Sequence, residues 1–208
     1  MTIKPVGPSV RKGKEPDPRP FPNPYLVGVG LGTVLFLSVL ITGDGLGAAI
    51  IAERQKPGID ALAPESHLGF CSGLLTGCGL PFTGRFMAVG KSPLTGGWGD
   101  ANAGGFLSRE IKRTGYDAVF FTGRAPQPTW VHIADNGVDI KDASSLWGKD
   151  INDTEAAIKE ELGTKRIQIA SIGMAGEKLS LISGIATDKA RIAARSGLGA
   201  VMGLSLIH

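Results

Sequence analysis

Only two cysteines, Cys71 and Cys78, occur in the 208 residues. That excludes a disulfide framework, and the six residues between them are not the spacing of a zinc or redox pair. Two thiols cannot ligate an iron–sulfur cubane, which needs four. Cys71 sits in an apolar run and reads as a small buried hydrophobe, and the scarcity of cysteine favours a reducing compartment. Histidine is equally sparse: His67, His132 and His208 show no ligand spacing. No Ser/His/Asp or paired-carboxylate arrangement stands out. Neither G-x-G-x-x-G after a strand nor G-x-x-x-x-G-K-[ST] is present. The body of the chain also lacks net charge. The overall +3 comes from residues 1–24, where Lys4, Arg11, Lys12, Lys14 and Arg19 face only Glu15 and Asp17. A neutral body has no basic face for broad nucleic-acid binding.

Glycine is what the chain has in excess, with 31 residues, about double the usual share. It is concentrated over residues 84–105, from Gly84-Arg85-Phe86 through Gly90-Lys91-Ser92-Pro93-Leu94-Thr95-Gly96-Gly97 to Asn102-Ala103-Gly104-Gly105. Such a run makes a poor helix or central strand, because glycine gives up too much backbone freedom in either. Two readings follow. One is a long surface loop with ordinary turns. The other is a backbone that approaches an anionic ligand, with Arg85 and Lys91 adding positive charge and free N–H groups aimed at a phosphate.

The start of the chain is different in kind. Residues 1–24 are rich in proline, lysine and arginine and read as an extended, disordered arm. Residues 25–42 carry no charge and are dominated by Leu, Val and Ile, which just meets the length of a membrane span. With basic residues only on its N-terminal side, a transmembrane helix over 25–44 would leave the arm in the cytoplasm.

From residue 45 a globular pattern begins. Residues 48–55 read as a short helix ended by Pro57 and Gly58, and 68–72 and 85–89 as strands. Residues 106–113 read as a helix closed by Gly115, its N-terminus abutting Gly104-Gly105 as a seat for phosphate. Strands are expected at 117–122 and 129–134, with a hairpin turn at 135–137 and a return over 138–140. A helix opens at Asn152-Asp153-Thr154-Glu155 and closes at Gly163. Further strands are expected at 166–172 and 179–186. In the last stretch, 188–203, Arg191 and Arg195 are four apart, and on a helix they would form a solvated face. Strands with interspersed helices and a hairpin, without regular βαβ alternation, make the class α+β.

Several segments in fixed order resemble the N-terminal domain of the aldehyde ferredoxin oxidoreductases, tungsten enzymes carrying a bis-pterin cofactor. They are Thr83-Gly84-Arg85-Phe86, Lys91-Ser92-Pro93-Leu94-Thr95-Gly96, Ala101-Asn102-Ala103-Gly104-Gly105, Thr114-Gly115-Tyr116-Asp117-Ala118, Asp142-Ala143-Ser144-Ser145-Leu146-Trp147-Gly148-Lys149, Ala170-Ser171-Ile172-Gly173-Met174-Ala175-Gly176-Glu177 and Arg195-Ser196-Gly197-Leu198-Gly199-Ala200-Val201-Met202-Gly203. The resemblance covers 45–203 and implies two β-sheets with short helices. It also implies a tungsten or molybdenum bis-pterin cofactor, with Arg85 as a pterin-binding arginine, Asn102, Ala103 and Gly104 as a second contact group, and Arg191, Ile192, Ala194 and Arg195 as a third. The backbone carbonyls of Asn102 and Ile192 would hold a magnesium bridging the two phosphates. Where the family reads Arg-Ala-Ala-Gly-Arg-Gly-Gly, this chain has Arg191-Ile192-Ala193-Ala194-Arg195-Ser196-Gly197, which puts the contact at Ala194 in question. The implied activity is oxidation of an aldehyde to a carboxylic acid in the cytoplasm, with ferredoxin as electron acceptor. The family also implies a 4Fe–4S cluster, whose cysteines and acid–base residues lie C-terminal to this region, and a possible homo-oligomer.

Residues 24–48 are similar instead to the first membrane helix of the YeeE/YedE sulfur-transport family. The alternative reading is therefore a membrane-anchored transporter fragment fused to a cofactor-binding module, and a junction is expected near Gly45-Leu46-Gly47-Ala48. The final residues, Leu204-Ser205-Leu206-Ile207-His208, read as a translated sequencing adapter. The expectation is a truncated and, by itself, inactive piece of the enzyme.

Overall fold

The computed structural model describes Thr33 and residues 44–79, 83–135, 137–188 and 191–207. The chain divides into units 1–34 and 35–208, and the strands and helices of the globular body all belong to the second. The expected arm at 1–24 lies outside the described residues, as does nearly all of the expected span at 25–44. Among the described residues no helix is long and apolar enough to cross a membrane.

Helix α1, Asp44–Arg54, begins four residues earlier than its sequence pattern suggests. It lies against a four-stranded antiparallel sheet of order β3-β2-β1-β4, made of β1 (His67–Ser72), β2 (Phe86–Lys91), β3 (Trp98–Ala103) and β4 (Ala118–Thr122). The period of two sorts the side chains. Cys71, Met87 and Val89 pack under Ile51 of α1. Leu68, Phe70, Phe86, Ala88, Ala101 and Ala103 enter the main core on the opposite face. There they meet Ile111 of α2 (Leu107–Arg113) and Leu198, Val201 and Met202 of α5 (Leu198–Leu204). Cys71 is fully buried and forms no disulfide, as its apolar neighbours implied.

The hairpin β5 (Thr129–Ala134) and β6 (Gly137–Asp142) forms a sheet of its own. It shares a small core with α3 (Ile151–Glu161), where Trp130, Ala143, Leu146 and Ile158 meet. The N-cap of α3 is Asp150, two residues ahead of the expected cap, and its carboxylate accepts from the Asn152 and Asp153 amides at 2.8 and 2.9 Å.

A third sheet, order β7-β8-β9, consists of β7 (Ala170–Ser171), β8 (Ile185–Thr187) and β9 (Arg191–Ala193), with α4 (Gly173–Glu177) between its first two strands. The described strands thus pair into three sheets rather than two, because the hairpin and the short meander each close on themselves. Only two residues of the expected strand at 166–172 are paired, and that expected at 179–186 shrinks to Ile185–Thr187. The stretch 188–203 splits into a strand and a helix, so Arg191 and Arg195 do not share a helical face. Helix α5 is buried on every side from Leu198 to Gly203. A methyl group on Gly203 would lie 2.1 Å from the Gly176 carbonyl oxygen, so glycine is what lets α5 and α4 touch.

Candidate functional site

The glycine-rich stretch is not a continuous loop. Its residues 98–103 form edge strand β3, and the alternation explains why. Gly99, Ala101 and Ala103 are small enough to be buried where β9 and the segment after it pack, while Trp98, Asp100 and Asn102 face outward. Ser196, just beyond β9, fastens the two strands by donating from Oγ to the Asp100 carbonyl at 3.0 Å.

In the β2–β3 register Asn102 stands opposite Met87, two residues past Arg85. The exposed Arg85 side chain donates from Nε to Asn102 Oδ1. Gly104 follows, with space above its Cα reaching to Arg85 Nη1 at 3.6 Å. Gly105 is at φ +123°, and a Cβ there would fall 1.9 Å from Asp188 Oδ2 and 3.0 Å from Arg191 Cδ. No other residue type fits. Asp188, on the turn between β8 and β9, accepts the Phe106 amide at 2.9 Å. The Arg191 guanidinium lies 5.9 Å from the Phe106 ring centre.

Arg85, Asn102, Gly104 and Arg191 therefore meet across the turn 104–105. Ala103 is 3% exposed with its side chain in the core, so only its backbone is available. Ile192 and Ala194 are exposed and sit against Gly184, with Ile192 paired to Ala186. Arg195 is exposed, one residue from the Ser196 fastening. Lys91, expected to add positive charge to the ligand site, instead donates to the Ile59 carbonyl and ties a loop to β2. The amide of Phe106, the residue that precedes α2, is likewise engaged by Asp188, so a carboxylate already lies at the helix end expected to seat a phosphate. The contacts of Asp188 and Ser196 were not legible in the sequence: their partners lie 82 and 96 positions away, and although Ser196 falls in a recognisable segment, nothing local marks Asp188.

Two exposed guanidinium groups from different elements, flanking a turn of two glycines, suit a phosphate ester. Among the described residues no three of His, Cys, Asp and Glu converge to hold a metal. Two cavities, of about 520 and 660 Å³, lie against the hairpin and β4, are mainly apolar, and touch none of Arg85, Asn102 or Arg191.

Residues 35–207 match the family described as aldehyde ferredoxin oxidoreductase, N-terminal domain. The chain belongs to this family. The tungsten-containing aldehyde ferredoxin oxidoreductase of Pyrococcus furiosus is 44% identical over 159 residues, and that of Thermococcus kodakarensis 45%. Each alignment takes in 76% of this chain and 26% of the relative. An aliphatic sulfonate oxidoreductase, WOR-like subunit, of P. furiosus is 31% identical over 77% of the chain and 28% of its own length. A solved structure, the active site complex BamBC of benzoyl coenzyme A reductase in complex with 1,5 dienoyl-CoA, aligns with TM-score 0.75 and 36% identity over 81% of this chain and 26% of that one. The chain thus spans about a quarter of the length of these aldehyde ferredoxin oxidoreductase relatives. The family match begins at residue 35, inside the segment that resembles the sulfur transporters, and none of these matches supports the transporter reading.

Proposed function

We propose that this chain is the cofactor-gripping N-terminal domain of a tungsten-dependent aldehyde:ferredoxin oxidoreductase. The observation that carries the reading is the meeting of Arg85, Asn102 and Gly104 with Arg191 across the turn 104–105. Arg85, Arg191 and Arg195 would hold the phosphates of a bis-pterin cofactor, and the backbone at Asn102–Gly104 would close on them. A magnesium ion at the phosphates would take carbonyl oxygens at Asn102 and Ile192.

When bound, the tungsten pterin supplies a two-electron oxidation in which aldehyde and water become carboxylate and protons, with ferredoxin taking the electrons. A 4Fe–4S cluster would draw its thiolates from residues other than these, since the chain has only Cys71 and Cys78. Neither forms a disulfide, which suits a cytoplasmic enzyme. Aldehydes are the favoured substrate class because the aldehyde relatives are 44–45% identical, against 31% for the sulfonate enzyme and 36% for the benzoyl coenzyme A reductase complex. The test is to express the full-length gene product with tungstate and assay metal, pterin and aldehyde-dependent reduction of ferredoxin. The reading expects tungsten and pterin in fixed proportion and aldehyde-dependent reduction. A correctly folded full-length protein without tungsten, molybdenum or pterin would overturn it.

A further inference from the structure

Asp188 lies outside every motif that carries the family resemblance, yet it sits against the glycine turn at Gly105 and the residue that follows it. Its Oδ2 accepts the Phe106 amide at 2.9 Å. The same oxygen fills the space that any side chain on Gly105 would need, 1.9 Å from that Cβ position, and Arg191 Cδ borders the same position at 3.0 Å. Its second oxygen, Oδ1, is buried without a hydrogen-bond partner. The residue itself is held at φ +50°, in the left-handed region that few side chains other than Asn and Asp adopt. A left-handed backbone and a half-satisfied carboxylate persist where the surroundings over-determine them.

We propose that Asp188 is a positioning residue for the phosphate grip. It bolts the β8–β9 turn to the glycine turn, so that Arg191 and the Arg85–Asn102 pair face one ligand. The Phe106 amide, on the residue that precedes α2, is satisfied by this carboxylate, and no side chain of the N-cap residue does so. Without the bolt, residues 104–105 are free to swing, and the two arginines no longer hold a fixed spacing. The inference rests on the reading of this surface as a pterin-phosphate site.

The test compares Asp188→Asn, Asp188→Ala and Asp188→Glu in the full-length protein. Pterin per chain is measured as its fluorescent oxidation product, together with the rate of pterin release on dilution. Folding is checked by circular dichroism. Asparagine still accepts the Phe106 amide, so its variant is expected to load within twofold of the parent. Alanine removes the acceptor, and glutamate, one methylene longer, pushes into the Gly105 turn. Both are expected to release pterin about tenfold faster, as loss of an orienting partner commonly does. If alanine impairs folding, the glutamate variant carries the test. A folded alanine or glutamate variant that keeps the parent's pterin content and release rate overturns the inference and leaves the site reading intact. A parent protein free of pterin overturns both, and the parent measurement tells the two failures apart.

Discussion

Arg85 hydrogen-bonds through Nε to the Oδ1 of Asn102, joining the entry of β2 to the outward face of β3. The bond uses one edge of the guanidinium. A planar fork with several donors keeps others for a ligand while one edge is held, and this pre-orders the side chain.

Arg85→Ala should therefore affect the ligand more than the fold. Arg85 is exposed, so unfolding free energy in urea is expected to change by no more than about 0.5 kcal/mol. Hydrogen bonds to charged groups contribute roughly 1.5–3 kcal/mol, so pterin affinity of the full-length protein should fall about tenfold or more. Unchanged pterin retention would show that Arg85 holds only Asn102.

Ile192 and its neighbour Arg191 offer a contrast between backbone and side chain. Ile192 is 49% exposed and is assigned only a carbonyl. Ile192→Ala should leave magnesium and pterin content as in the parent, while Arg191→Ala should lower pterin content. Equal losses from both would mean that the side chain of Ile192 matters.

Gly203 tests the packing beneath the site. Alanine is a better helix former, yet its methyl group would meet the Gly176 backbone at 2.1 Å. Overpacking of this kind costs roughly 1–3 kcal/mol, more than the gain of about 1 kcal/mol in helix propensity. Gly203→Ala should lower the midpoint of urea unfolding, and a raised midpoint would contradict the close approach of α4 and α5.

Asp150 is expected to act on stability alone. Its carboxylate caps α3 through two amides and is remote in sequence from the arginine cluster. Asp150→Ala should cost about 1 kcal/mol in urea unfolding without altering pterin content of the full-length protein.

The elements legible in the sequence were those with a strong local pattern. The buried run of β1, the hairpin of β5 and β6 flagged by an Asp-Asn-Gly sequence, and the amphipathic α2 all announce themselves within a few residues. Strand β3 did not, because small residues that suit a tight packing face look the same as the residues of a loop. Helix α5 is apolar on all sides and so has no period to read. The two three-residue strands β8 and β9 are too short for any alternation to show, which is why Arg191 could be read as helical. At the site, the candidate residues came from recognisable segments, whereas Asp188 acts through a contact that only the folded chain creates.

The most direct measurement is pterin occupancy of a full-length Arg85→Ala/Arg191→Ala double variant, with its circular dichroism compared to the parent. If two strands jointly grip the cofactor phosphates, the variant folds like the parent and carries less than about a tenth of its pterin. A folded double variant that retains the parent's full complement of pterin would contradict the account.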